Sequence, residues 1–255
     1  MTDHATPPPA TSIATHTPED VFVRGKSLCR DLIGKMTFTE MTFFQITGRA
    51  PTPAQAAMLD ACLVTLMEHG LTPSAIAARL VYSSAPEALQ SAVAAGLLAV
   101  GSVFVGTVEG CAALLARIAA ATDAEVEARA VVDEHRAERR PVPGFGHPEH
   151  KPDDPRSIVL LDLARTHGVA GRHVDALAAL AAAVDRASGK HVTVNATGAV
   201  AAVLADCGLP ARILRGFAVL ARCAGLVGHL CEEQSRPTLR AIWEAAENAV
   251  PYDGG

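Results

Sequence analysis

The chain has no paired-cysteine motif. Its six cysteines (Cys29, Cys62, Cys111, Cys207, Cys223 and Cys231) include no CxxC and no metal-type spacing. That pattern predicts no metal site and small, buried, reduced thiols in a cytoplasmic compartment. Aromatic residues are scarce, at 4%, and no stretch keeps up a two-residue alternation, which argues against a sheet-based fold. There is no basic cluster, and the net charge is −5. Neither nucleic acid nor an anionic membrane is then the expected partner. Residues 1–17 have no basic start followed by an apolar run, so no signal peptide is expected in them; their Pro/Thr/Ala content predicts a disordered tail. Ala88 to Val108 carries no charge and is long enough to cross a bilayer. It contains Gln90, Ser91, Ser102 and Thr107 and has no basic flank, so it is expected as helix buried in a protein core.

What the chain does have is apolar residues, 49% of the total, enough for a large core, together with abundant helix punctuation. Thr52-Pro53-Ala54-Gln55 reads as a capping box with Pro at the first helical position. Ser84 to Glu87 and Thr122 to Glu125 repeat the spacing, and Thr17-Pro18 and Thr72-Pro73 are further starts. Gly48, Gly70, Gly168, Gly189 and Gly208 are stops. Helices are predicted at about 18–34, 38–47, 53–68, 73–82, 86–100, 106–120, 123–138, 155–167, 171–187, 196–206, 210–230 and 237–248, which makes an all-α protein.

Two segments break the pattern. Residues 139–155 are rich in Pro and Gly and hold His147, His150 and Lys151 just ahead of Arg156. Imidazoles exchange protons near neutral pH, and Lys and Arg hold phosphates and carboxylates. The same composition also fits a surface loop with ordinary polar residues. Residues 189–198 are short, β-branched and glycine-bounded, consistent with extended backbone feeding a helix.

Six motifs in series then resemble the citrate synthase superfamily, in its short type represented by citryl-CoA lyase and the C-terminal domain of ATP-citrate lyase. They are Leu32–Gly48, Glu68-His69-Gly70, Gly101–Glu109, Pro143–His147 with Asp154-Pro155-Arg156, Val194–Gly198, and Ala221–Gly225 through His229 and Glu232 to Arg236-Pro237. The likeness runs from about residue 24 to 240. It implies a citrate synthase-like fold with a large dimerising helical domain (18–109 and 206–250), a small helical domain (110–205), and an active site in the cleft between them. It also implies a homodimer in which each site borrows an arginine from the other subunit.

The site residues follow from the resemblance. His69 and His147 would act on the hydroxyl or carbonyl oxygen, while Arg156, Arg222 and a partner's Arg236 would bind carboxylates. Gly144, Phe145, Gly146, Lys151 and Lys190 would lie against a coenzyme A thioester substrate. Other readings of the same residues stand beside these: His69 as a helix cap, Arg222 paired with a buried glutamate, and the lysines as solvated charges. Two positions depart from the synthase pattern. Phe104 replaces a histidine that lyase-type members also lack. Thr197 replaces the catalytic aspartate, and a threonine hydroxyl is too weak a base for that work. Glu149, His150 and His191 are candidate replacements. Val105 stands where the family has glycine.

The expected reaction is cleavage of citryl-CoA to acetyl-CoA and oxaloacetate, or the reverse condensation. The alternatives are a different acyl-CoA and keto-acid pair, or a non-catalytic homologue that binds CoA and carboxylates.

Overall fold

The computed structural model describes residues 9–101, 103 and 105–254. They form two compact units, divided between Ala57 and Met58. The division falls inside a helix.

In the first unit the helix expected at 18–34 is absent. Three short strands replace it, β1 (Ala14–His16), β2 (Val21–Val23) and β3 (Lys26–Ser27), in an antiparallel sheet of that order. A turn of π-helix at Leu28–Leu32 follows. Thr17-Pro18, expected to start a helix, instead forms the β1–β2 turn, where the Thr17 hydroxyl accepts from Asp20 N. β1 pairs with β2 through Ala14↔Val23, so the extended chain expected as tail is part of the sheet from residue 14. Val-Phe-Val is β-branched and aromatic, a composition that fits a pleated surface better than a helix. Helix α1 (Phe38–Thr47) begins with a capping box, Thr37 with Glu40, that its sequence spacing also spells. Val23, Leu32 and Phe44 form a small core with Leu28, Met36 and Met41 around it.

Helix α2 (Pro53–Met67) opens on the predicted box: Gln55 N donates to Thr52 Oγ1 at 3.2 Å and Thr52 N to Gln55 Oε1 at 3.0 Å. The second unit then carries α3 (Pro73–Ser84), α4 (Leu89–Leu98), α5 (Thr107–Ala120), α6 (Ala124–Ala137), α7 (Pro155–Thr166), α8 (Arg172–Ser188), α9 (Ala196–Asp206), α10 (Leu214–Ser235) and α11 (Leu239–Ala249). Two expected caps are wrong. Ser84 ends α3, and α4 starts from Ala88 with no side-chain cap. Asp123 caps α6, through Glu125 N and Val126 N, in place of Thr122; a carboxylate is the better acceptor at a helix N-terminus.

Two packing groups shape this unit. α3, α4 and α10 meet around Ala75, Ala78, Ala92, Leu226 and Leu230. Gly96 lets α4 come close, because a Cβ there would lie 2.6 Å from Leu226 Cδ1. α5, α7 and α8 each pack on α9, which is buried at Ala196 and from Gly198 to Leu204. Ala211–Ser235 is long and apolar enough to cross a membrane by length and composition. In this protein it buries Leu214, Phe217, Ala218, Ala221, Leu226 and Leu230 in the core. Cys62, Cys111 and Cys207 are buried as expected, whereas Cys29 and Cys231 are exposed.

Candidate active site

The two irregular segments find each other. Asn195 N donates to Gly144 O at 3.0 Å, Gly146 N to Thr193 O at 2.7 Å, and Asn195 Nδ2 to Gly146 O at 2.9 Å. Phe145 and Val194 form an antiparallel bridge. Gly144 and Gly146 both take positive φ, at 91° and 78°. Gly144 also touches Gly198: a Cβ on Gly198 would lie 2.7 Å from Gly144 O, and one on Gly144 would lie 2.6 Å from the buried Cys111 Sγ. Gly144→Ala therefore combines left-handed strain with a clash and is expected to cost roughly 2–4 kcal/mol. Gly146→Ala, with open space around it, carries the strain alone, roughly 1–2 kcal/mol. Urea unfolding of both variants checks the order, and equal losses would rule out the contact with Cys111 as the cause.

Asp154 pins the far end of the loop. It is fully buried and caps α7. It holds Arg156 through Nε at 3.0 Å and Nη2 at 2.8 Å, and it accepts from Ala196 N at 3.0 Å. Burial would raise its pKa, but the Arg156 guanidinium and the two backbone donors outweigh that and hold it below the usual carboxylate range.

Against this frame stand three imidazoles. The His147 and His150 ring centroids are 4.3 Å apart, and each lies 5.6 Å from that of His69. His69 follows α2, where Glu68 Oε1 accepts its backbone N–H at 2.7 Å and that of Gly70 at 2.8 Å. His147 Nδ1 accepts the backbone N–H groups of Glu149 (3.1 Å) and His150 (3.0 Å), so in the neutral ring the proton sits on Nε2. That Nε2 lies 3.3 Å from Arg156 Nη2. Two donors converge there, which suits an anion or a developing oxyanion better than a cation. Burial first, and neighbouring positive charge second, depress the pKa of both His69 and His147, leaving both rings neutral at pH 7. The nitrogens of the three rings lie within 4.8 Å of one another, but the adjoining guanidinium opposes a metal ion.

Arg222 approaches from α10. It is 4% exposed, and among the described residues its Nε and Nη1 have no hydrogen-bond partner. Its nearest counter-charge is Glu68 Oε1, 3.7 Å from Nη1. Burial lowers its pKa and Glu68 offsets part of this. Behind it lies a residue that sequence reading missed. Arg79, buried on α3, donates from Nη1 to Glu233 Oε2 at 2.6 Å and from Nε to His229 Nδ1 at 3.0 Å, and it also pairs with Glu232. His229 Nε2 in turn sits 2.9 Å from Glu68 Oε2. A lone arginine within the apolar run Ala75–Val81 was the available signal.

The other predicted residues are placed as follows. Thr197 is half-buried near the start of α9; it donates to Asn195 Oδ1 at 2.6 Å and lies 2.9 Å from Thr107 Oγ1. Lys151 and Lys190 are exposed. Arg236 is exposed at the C-terminal cap of α10, four helical turns beyond Arg222, so this chain does not bring the two together. Phe104 lies outside the described residues. Val105 keeps a glycine-like φ of 59° despite its branched side chain. Glu149 is exposed. His191 bonds Asp185 through Nδ1 at 2.8 Å and Asp153 through Nε2 at 3.0 Å.

Those two carboxylates, Asp185 foremost, raise the His191 pKa. Because the folded value lies above the unfolded one, near 6.5, the pair stabilises the fold fully below that value. The contribution is lost as pH rises through the raised folded pKa. His191→Gln should therefore lower the Tm more at about pH 5.5 than at about pH 8.5, and parallel Tm–pH curves for the two proteins would refute the assignment.

A family model described as "Citrate synthase, C-terminal domain" matches residues 21–243. The chain belongs to the citrate synthase family. Citryl-CoA lyase from Hydrogenobacter thermophilus is similar to it in structure, at a TM-score of 0.86 and 32% identity, over 96% of this chain and 94% of that one. The ATP citrate lyase of Methanosaeta concilii, solved with (3S)-citryl-CoA, shares the fold at a TM-score of 0.79 and 20% identity, over 99% of this chain and 43% of that one. The putative citrate synthase 2 of Mycobacterium tuberculosis is 28% identical over 193 residues, covering 72% of this chain and 49% of its own. A Synechocystis citrate synthase is 30% identical over 131 residues, covering 51% of this chain and 32% of its own. The chain thus spans half or less of these curated family members. The all-α, citrate synthase-like fold expected from the motifs is the fold the family shares.

Proposed function

We propose that this protein cleaves a carbon–carbon bond in a hydroxy-acyl-CoA, citryl-CoA being the best fit, or runs the reverse condensation. The observation that carries the reading is the convergence of neutral His69, the Nε2–H of His147, Arg156 and the buried Arg222, whose Nε and Nη1 lack hydrogen-bond acceptors among the described residues. Arg222 is a buried cation with idle donors on Nε and Nη1, and a substrate carboxylate supplies an acceptor that such a donor lacks. The convergent His147 and Arg156 donors suit the oxygen that carries charge as the bond breaks. His69, held neutral, can take the hydroxyl proton. The neighbour with citryl-CoA lyase activity in its name supports this, since nearly its whole length is matched.

Coenzyme A would lie along Gly144–Gly146, with Lys151 and Lys190 available to its phosphates. Arg236 reads as a donor to the site of a second copy in a homodimer, because within its own chain it is remote from Arg222. The hydroxyl pair of Thr107 and Thr197 favours a second reading, the same chemistry on another acyl-CoA and keto-acid pair with a reshaped acyl end. Incubation with citryl-CoA, read by mass spectrometry, should yield acetyl-CoA and oxaloacetate. Turnover only with other pairs would select the second reading. No turnover on any thioester, with no calorimetric binding of CoA or citrate, would end both.

A further inference from the structure

Retro-Claisen cleavage needs two proton transfers, one from the hydroxyl oxygen and one to the α-carbon of the departing thioester. Thr197 stands where the resemblance puts the group for the second. Its hydroxyl proton is already given to Asn195 Oδ1, and its remaining neighbour is another hydroxyl. Something else must serve the carbon.

We infer that His150 is the residue that carries the proton to and from the α-carbon. The inference rests on the lyase reading above. The hydroxyl oxygen and the α-carbon are bonded to the same atom, so they lie only about 2.4 Å apart. The group that serves the carbon must therefore sit beside those that serve the oxygen. His150 does: its ring lies 4.3 Å from that of His147 and 5.6 Å from that of His69, half-buried. Its backbone N–H donates to His147 Nδ1 at 3.0 Å, and the Thr193 hydroxyl, bonded to Pro152 O at 2.6 Å, fixes the loop just beyond it. Among the described residues neither of its ring nitrogens has a hydrogen-bond partner, so both are open to proton traffic. The rival groups are not. His191 is tied at both nitrogens to Asp185 and Asp153, and Glu149 is exposed outside the cluster of rings.

The steps balance within the cluster. In cleavage, His69 takes the hydroxyl proton and the oxygen's electrons form the carbonyl. The carbon–carbon bond breaks and its electron pair enters the thioester as an enolate. His150, in its protonated form, gives that proton to the α-carbon, and the proton taken by His69 restores the starting count. In condensation, neutral His150 removes the α-proton and the carbonyl oxygen receives one from the protonated His69, while the Nε2–H of His147 steadies the charge on that oxygen in both directions.

The test is exchange of the acetyl-CoA methyl protons in D2O, with malate filling the carboxylate site, followed by NMR on the intact protein. His150→Gln should slow exchange and cleavage by ~10²–10⁴ while the KM for citryl-CoA moves by less than about threefold. His150→Ala should regain part of the rate on adding free imidazole, which a purely structural role would not allow. His191→Gln should exchange at close to the wild-type rate. Wild-type exchange in His150→Gln, in a protein that cleaves citryl-CoA, overturns the inference alone. A wild type that neither cleaves, exchanges nor binds CoA overturns the lyase reading and this inference with it.

Discussion

Replacing Arg222 with methionine should make the empty protein more stable and cost it its carboxylate ligand. The guanidinium is 4% exposed, with Nε and Nη1 unpartnered. Its closest anion, Glu68, is 3.7 Å away and has 47% of its side chain exposed to solvent. Such a charge pays most of its desolvation without return. An apolar side chain of similar length fills the same buried volume and removes that cost, for a gain of about 1–4 kcal/mol. Glu68 is left close to water, so its own penalty is small. Ligand binding moves the other way. Losing one half of a buried, hydrogen-bonded charge pair costs about 2–5 kcal/mol, or ~30-fold to several thousand-fold in Kd. Urea unfolding with and without citrate reads both effects at once, because a ligand that binds only the native state raises stability by mass action. The wild type should gain from citrate and the variant should not. A variant less stable than wild type, or one that citrate protects equally well, would remove Arg222 from the binding site.

Arg79→Met should do the opposite and destabilise strongly. Arg79 and Glu233 have 2% and 1% of their side chains exposed. Glu233 also accepts Thr238 N at 2.6 Å and Thr238 Oγ1 at 2.8 Å, so the pair ties α3 to α10 and to the start of α11. Removing the guanidinium strands a buried carboxylate and also frees His229 Nδ1. The expected loss is about 3–5 kcal/mol, a fall in Tm of roughly 6–20 °C for a unit this size. The double variant Arg79→Met, Glu233→Met should recover much of it, since no buried charge is then unpaired. A mild single variant, or a double variant as unstable as the single, would show that the pair does not hold the helices.

Both arginines stand alone in apolar helix segments, yet their surroundings differ, and the sequence does not show that difference. Helix positions were legible because helix formation is local: α1, α9 and the box opening α2 follow from caps and apolar spacing within a few residues of each end. The first unit was misread because Val21–Val23 is three residues long and becomes a strand only when Ala14–His16 and Lys26–Ser27 pair with it. The irregular segments 139–155 and 189–198 were visible as departures from helix. Their mutual hydrogen bonding was not, since it joins residues about fifty positions apart.

Family membership, the residue types of the site and the loss of the aspartate at position 197 were all determined by the sequence alone, because each is a matter of which side chains stand at which spacing. Only the tertiary structure decided what each group faces. It gave Arg79 two carboxylates and a histidine and left Arg222 with idle donors. It tied His191 to Asp185 and Asp153, and it set His150 beside His69 and His147 with no ring hydrogen bond among the described residues. The physical reason is that a charge or an imidazole takes its chemistry from what lies within a few ångströms. Those neighbours arrive from helices and loops that are distant in the chain.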